Sequence, residues 1–163
     1  MNNATTLLRE QIQQAHGFLN TVMEGVTSEQ AKWVPPGTAN PLAATYVHAI
    51  ASEDLAINMV LKGNAPLYAT TWAGKTGISD VQPLTTAEWA QRVQVDVPKA
   101  QTYAHAVHEA TDAYLATMTD DDLSRVLDLT SFGLGQMSVG TLLNRMVLGH
   151  IDNMCGEIAV LKG

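Results

Sequence analysis

His150 is the residue whose position most demands an explanation. It falls on an apolar stripe formed by Leu143, Met146, Val147, Met154, Ile158 and Leu161, spaced three and four residues apart. Burying a polar ring there without a partner costs roughly 1–3 kcal/mol, so this imidazole must be hydrogen-bonded, metal-bound or lining a cavity. Asn153, Met154 and Glu157 follow at three, four and seven residues, which aims them and His150 toward roughly one direction from one helix. A core imidazole bonded to a backbone carbonyl or a tyrosine hydroxyl is the alternative. His48 lies in a second apolar helical segment and shares a face with Ser52, Leu55 and Met59, while Glu53 sits on the Ile50/Ile57 side. Histidines facing each other across a helical bundle are a common way to hold a divalent ion, although two alone are a weak signal.

The remaining candidates read as bland. His105 and His108 are three apart, but Glu109 and Asp112 beside them mark a solvated face. His16 lies among glutamines and reads as surface. Cys155, the single cysteine, has no base or positive field on its own helix to lower its pKa, so it reads as packing. No nucleophile elbow and no phosphate-binding glycine loop is present.

Four helical segments must position these groups. The first, from about Thr6 to Gly25, carries Leu8, Ile12, Ala15, Leu19 and Val22 on one face. A connector follows, with a short turn at Thr27–Gln30 and a break at Pro35-Pro36-Gly37. The second helix is predicted from Pro41 to Leu61 with Asn40 as N-cap. About twenty loop residues, Gly63 to Pro83, come next, and Trp72 is expected to anchor them on the bundle. The third helix begins at Thr85–Glu88, read as a capping box, and runs to about Met118, kinked or split at Pro98. Val126–Leu129 and Gly135–Ser138 can pair as a short ribbon. Ser138 caps the fourth helix, which ends near Leu161.

Composition narrows the function classes. The 163 residues are 46% hydrophobic and only 15% charged, with a net charge of −7. Nine scattered basic residues argue against nucleic acid, whose phosphates need clustered Lys and Arg. No apolar run approaches the roughly 18 residues of a membrane span, and the first six residues do not read as a signal peptide. The expectation is one all-α domain over residues 1–163, a four-helix bundle of the cytoplasm. Its surplus apolar surface suggests a homodimer.

Two blocks of the sequence resemble the DinB/YfiT-like superfamily: Pro36-Gly37-Thr38-Ala39-Asn40-Pro41 leading to His48 and Glu53-Asp54, and Gly149-His150 through Gly156-Glu157-Ile158. The second is similar to the family's His-x-x-x-His-x-Gly-Glu/Gln-Ile pattern. The resemblance covers nearly the whole chain. It implies a bundle in up-down-down-up order, often dimeric. It also implies a divalent metal, commonly zinc or nickel, on one histidine of the second helix and two of the fourth. Some relatives resemble mycothiol-dependent maleylpyruvate isomerase or bacillithiol transferases. Carried over by position, His48 and His150 take two ligand places, with Glu53 or Glu157 as a supporting orienter. The third place falls on Met154, and a thioether is a poor ligand for a borderline divalent ion. Asn153 and Glu157 are the substitutes at hand, and low metal occupancy is expected. Two functions follow: a metal-dependent, thiol-linked transferase or isomerase acting on a small molecule, or a metal-poor dimeric bundle with a binding or structural role.

Overall fold

A computed structural model describes residues 3–163; Met1 and Asn2, part of the stretch read for a leader, lie outside the described residues. Helix α1 spans Ala4–Met23, capped by the Asn3 side chain on the Thr6 amide. Its buried face holds Leu8, Ile12, Ala15, Leu19 and Val22. The short α2, Ser28–Lys32, opens with a Thr27–Gln30 capping box. Helix α3 spans Leu42–Asp54 and continues as a π-helical stretch, Leu55–Leu61. Its N-cap position is Pro41 and not Asn40, and no side chain caps it.

The predicted third helix is split. Helix α4 covers Ala87–Arg92 and α5 covers Val97–Leu115, with Pro98 in the first turn of α5, where its missing N–H costs nothing. The α4 cap is Thr86 bonded to the Trp89 amide, one residue later than the expected Thr85–Glu88 box. Helix α6 is Asp120–Ser124. Strands β1, Val126–Asp128, and β2, Gln136–Ser138, pair antiparallel with Val126 opposite Ser138. Ser138 then caps α7, Val139–Leu142. A second π-helical stretch, Leu143–Leu148, leads into α8, Gly149–Lys162.

The four long helical runs form a bundle in up-down-down-up order. Thr5 bonds Asp120 and Arg9 bonds Asp112, so α5 runs against α1. Lys162, at the end of α8, donates to the Val22 carbonyl at the end of α1, so these two run together. His48, early in α3, meets His150, early in α8, while Ala56 and Met146 line one pocket farther along, so α3 runs against the final helix. The core is contributed by all four runs, with Ile50, Tyr103, Val107, Val147 and Ile158 fully buried. Among the described residues no helix is long and apolar enough to cross a membrane.

The loop after α3 is fastened by a carboxylate. Asp54 is fully buried; its Oδ1 accepts from Asn58 Nδ2 at 2.8 Å and the Leu67 amide at 2.9 Å. Its Oδ2 accepts from the Tyr68 amide at 3.1 Å and the Tyr103 hydroxyl at 2.6 Å. Trp72 packs on the core with its ring 5.8 Å from that of Tyr103, so the expected apolar anchor is present and works beside a polar one. Replacing Asp54 with Ala leaves four donors without their acceptor. We expect a loss of about 3 kcal/mol in chemical denaturation and rapid proteolysis within residues 63–83 at unchanged helix content. Protection equal to that of the unaltered protein would show that the carboxylate does not hold the loop.

Candidate functional site

Where α3 faces α8, His48 and His150 touch. Their Nε2 atoms are 3.0 Å apart and the rings are nearly perpendicular, with centroids at 4.7 Å. His48 Nδ1 lies 2.8 Å from the Pro83 carbonyl, which also accepts from Ser52 Oγ at 3.1 Å. A carbonyl can only accept, so His48 carries its proton on Nδ1 and presents the Nε2 lone pair. His150 then donates through Nε2, and its buried Nδ1 has no partner among the described residues. Burial pushes both rings down: His48 below its ordinary value despite the bond to Pro83 and the charge of Glu157, His150 to about 4 with His48 adding to the effect. Both are neutral at pH 7.

A pocket of about 510 Å³ opens above the pair. Leu55, Ala56 and Val60 line one wall and Leu142 and Met146 the other, with Pro83, Leu84, Phe132 and Leu134 at the mouth. Both walls are built from the π-helical stretches or their edges. Such turns re-aim the side chains that follow and recur at functional sites. Gly149 permits the second one: its amide bonds the Asn144 carbonyl five residues back, and a Cβ there would stand 3.2 Å from that oxygen.

A second polar cluster lies inside the bundle. Glu53, 1% exposed, is met by His16 from α1 and by His108 and Thr111 from α5. Its Oε1 lies 2.9 Å from His16 Nε2 and accepts from Thr111 Oγ1 at 2.5 Å. The His16 and His108 rings stack with centroids 3.8 Å apart and an 8° tilt. His108 Nε2 stands 3.8 Å from Glu53 Oε2, and neither atom has a hydrogen-bond partner among the described residues. Burial alone would raise Glu53; attraction and a hydrogen bond from His16, with help from His108 and Thr111, outweigh it and hold the carboxyl below its ordinary value. Burial takes His108 down to about 4. The three side chains form a group that can hold a metal ion.

These placements revise several expectations. His16 is 7% exposed and His108 8% exposed, so neither sits on a solvated face; only His105 does. Glu53 does not orient the His48–His150 pair but turns to the opposite side of α3, toward His16. Asn153 and Glu157 are exposed and neither lines the pocket; Met154 is buried. Cys155 is buried with its thiol pushed up to about 11 by burial and by Asp152, which suits packing. A signal for the second cluster did exist. His16 stands four after Ile12 and three before Leu19, His108 four after Ala104 and three before Thr111, and all four neighbours are buried.

The residues present do not fit the three-histidine metal site that the family resemblance implies. The two Nε2 atoms already satisfy each other, His150 lacks an outer partner to orient it, and no third His, Cys, Asp or Glu among the described residues joins the pair.

The architecture and its histidine pair between α3 and α8 define a four-helix bundle of the DinB type. A family model of the DinB superfamily matches residues 11–152, and the chain belongs to that superfamily. Among solved structures, it is similar to the crystal structure of the conserved protein of locus from Enterococcus faecalis. The TM-score is 0.82 with 20% identity, over 99% of this chain and 96% of that one. At that identity the likeness speaks for the fold. No curated protein sequence matches the chain.

The depressed histidines make stability depend on pH. An unfolded histidine titrates near 6.5, whereas His108 and His150 do so near 4 in the fold. Between those values the unfolded chain binds the extra protons, so stability is complete above about pH 6.5 and declines as pH falls toward 4. Thermal melts across this window should show that decline, and His150→Leu should flatten it by about one proton. Parallel slopes in the two proteins would mean that His150 is not held neutral.

Proposed function

We propose that this protein binds a small, largely apolar molecule with one hydrogen-bonding head in the pocket above His48 and His150, without a resident metal at that pair. The observation that carries the reading is the pocket itself: apolar walls on two helices closing on a polar floor made of two neutral, mutually bonded imidazoles. Few polar groups in a mostly apolar cleft is the usual form of a small-molecule site. The floor selects for a head that can both donate and accept. A hydroxyl or thiol of the ligand would displace the His150 N–H and donate to the His48 Nε2 lone pair, which the bond to Pro83 keeps aimed at it.

A thiol-linked transferase or isomerase that uses a divalent metal is the second reading, and one observation favours it. The Nδ1–H bond from His48 to a backbone carbonyl is the outer contact that metal-bound histidines use. The two readings separate in one pair of experiments. With anilinonaphthalene sulfonate as probe, the first expects saturable fluorescence at about one site per chain. Met146→Trp, which fills the pocket, should weaken that binding about tenfold or more at unchanged helix content. Equal binding in both proteins would remove the pocket as the site. Met154→His adds an imidazole one turn after His150, and on the first reading this substitution alone creates tight nickel binding at the pair. Tight nickel binding that is already present in the unaltered protein and lost in His48→Ala would favour the second reading.

A further inference from the structure

Two titratable groups remain unused by that pocket. Glu53 Oε2 and His108 Nε2 are buried, face each other at 3.8 Å, and bond to nothing among the described residues. Such pairs are uncommon in folded proteins, because a polar atom taken out of water without a partner is costly. The gap is too long for a hydrogen bond. It is also close to what an intervening ion needs: donors at about 2.0–2.2 Å from a tetrahedral zinc stand about 3.3 Å from each other. His16 supplies the next donor, with Nε2 at 2.9 Å from the other carboxylate oxygen.

We propose that His16, Glu53 and His108 form an enclosed binding site for a first-row divalent cation of the zinc class, separate from the His48–His150 pair. Three helices each contribute one donor, so the ligands are set by the bundle itself and not by a loop. Two imidazoles and one carboxylate are a donor set that such cations take, with a place left over for water or a ligand. Thr111, donating to Glu53 Oε1 at 2.5 Å, is the outer contact that steers the carboxylate. Charge points the same way. A carboxylate that is 1% exposed places a negative charge in the interior, which a cation offsets. Access exists as well. A groove of about 560 Å³ between α1 and α5 reaches His16 and His108 past Gln13, Asn20 and Glu109. Binding requires the stacked His16 and His108 rings to turn about their side-chain bonds, so that both ring nitrogens aim at one point beside Glu53.

The test is a titration of the chelator-stripped full chain with Zn²⁺, and with Co²⁺ followed by its visible absorption. We expect one tight equivalent of zinc, preserved in a His48→Ala/His150→Ala double variant. Affinity should fall by more than about 100-fold in both Glu53→Gln and His108→Ala, beyond the 10–100-fold typical of an outer contact. Far-UV dichroism checks that these variants fold. In the unaltered protein, histidine NMR reads the same question without any substitution: zinc should shift the His16 and His108 ring signals and leave those of His48 and His150 in place. Absence of saturable zinc binding would overturn the proposal. So would wild-type affinity in either Glu53→Gln or His108→Ala, loss of binding in the double variant, or zinc-induced shifts confined to His48 and His150.

Discussion

Two consecutive carboxylates buried in the middle of one helix organise this molecule. Glu53 and Asp54 are 1% and 0% exposed, and an ionised carboxylate in that position is tolerable only when its oxygens are matched by donors or a positive charge. Being adjacent on a helix, they point about 100° apart and recruit different neighbours. Glu53 gathers His16, His108 and Thr111 from α1 and α5. Asp54 gathers Tyr103, Asn58 and the backbone of the loop that follows α3. Neither set could drift without exposing a charge to an apolar interior.

The second set reaches the pocket indirectly. Asp54 fastens the start of the loop, the loop ends at Pro83, and the Pro83 carbonyl holds the His48 tautomer. The His48–His150 contact is therefore supported from α3 twice, once by its own backbone and once through the loop. The two π-helical stretches supply Leu55, Ala56, Val60 and Met146 to the pocket's walls. Loop, wide turns and imidazole pair make one unit, and the Glu53 cluster is packed on the other side of the same helix.

Much of this was legible in the sequence because helical periodicity and caps are local. The α1 stripe, the break near Pro98, the Ser138 cap and the β1–β2 ribbon follow from spacing and side-chain type, whereas the pairing of His48 with His150 came with the family resemblance. The inner cluster was not read, because His16 and His108 sit beside polar residues on the edges of their stripes. Their neighbours four before and three after were the local sign of burial, but that both rings meet at Glu53 depends on how three helices are rotated against one another, which no single helix encodes. Asn40 and Thr85 each fall one residue before the N-cap position: Thr86 takes over the cap of α4, whereas Pro41 stands at the start of α3 with no side-chain cap.

The central claim is that the bundle keeps its two histidine sites chemically distinct, a neutral metal-free pair under the pocket and a carboxylate-centred cation site within. Crystals grown with one equivalent of zinc and measured on both sides of the zinc absorption edge test it most directly. The account predicts an anomalous difference peak among His16, Glu53 and His108 and none between His48 and His150. A peak between the two imidazoles of the pocket, with none at Glu53, would contradict it.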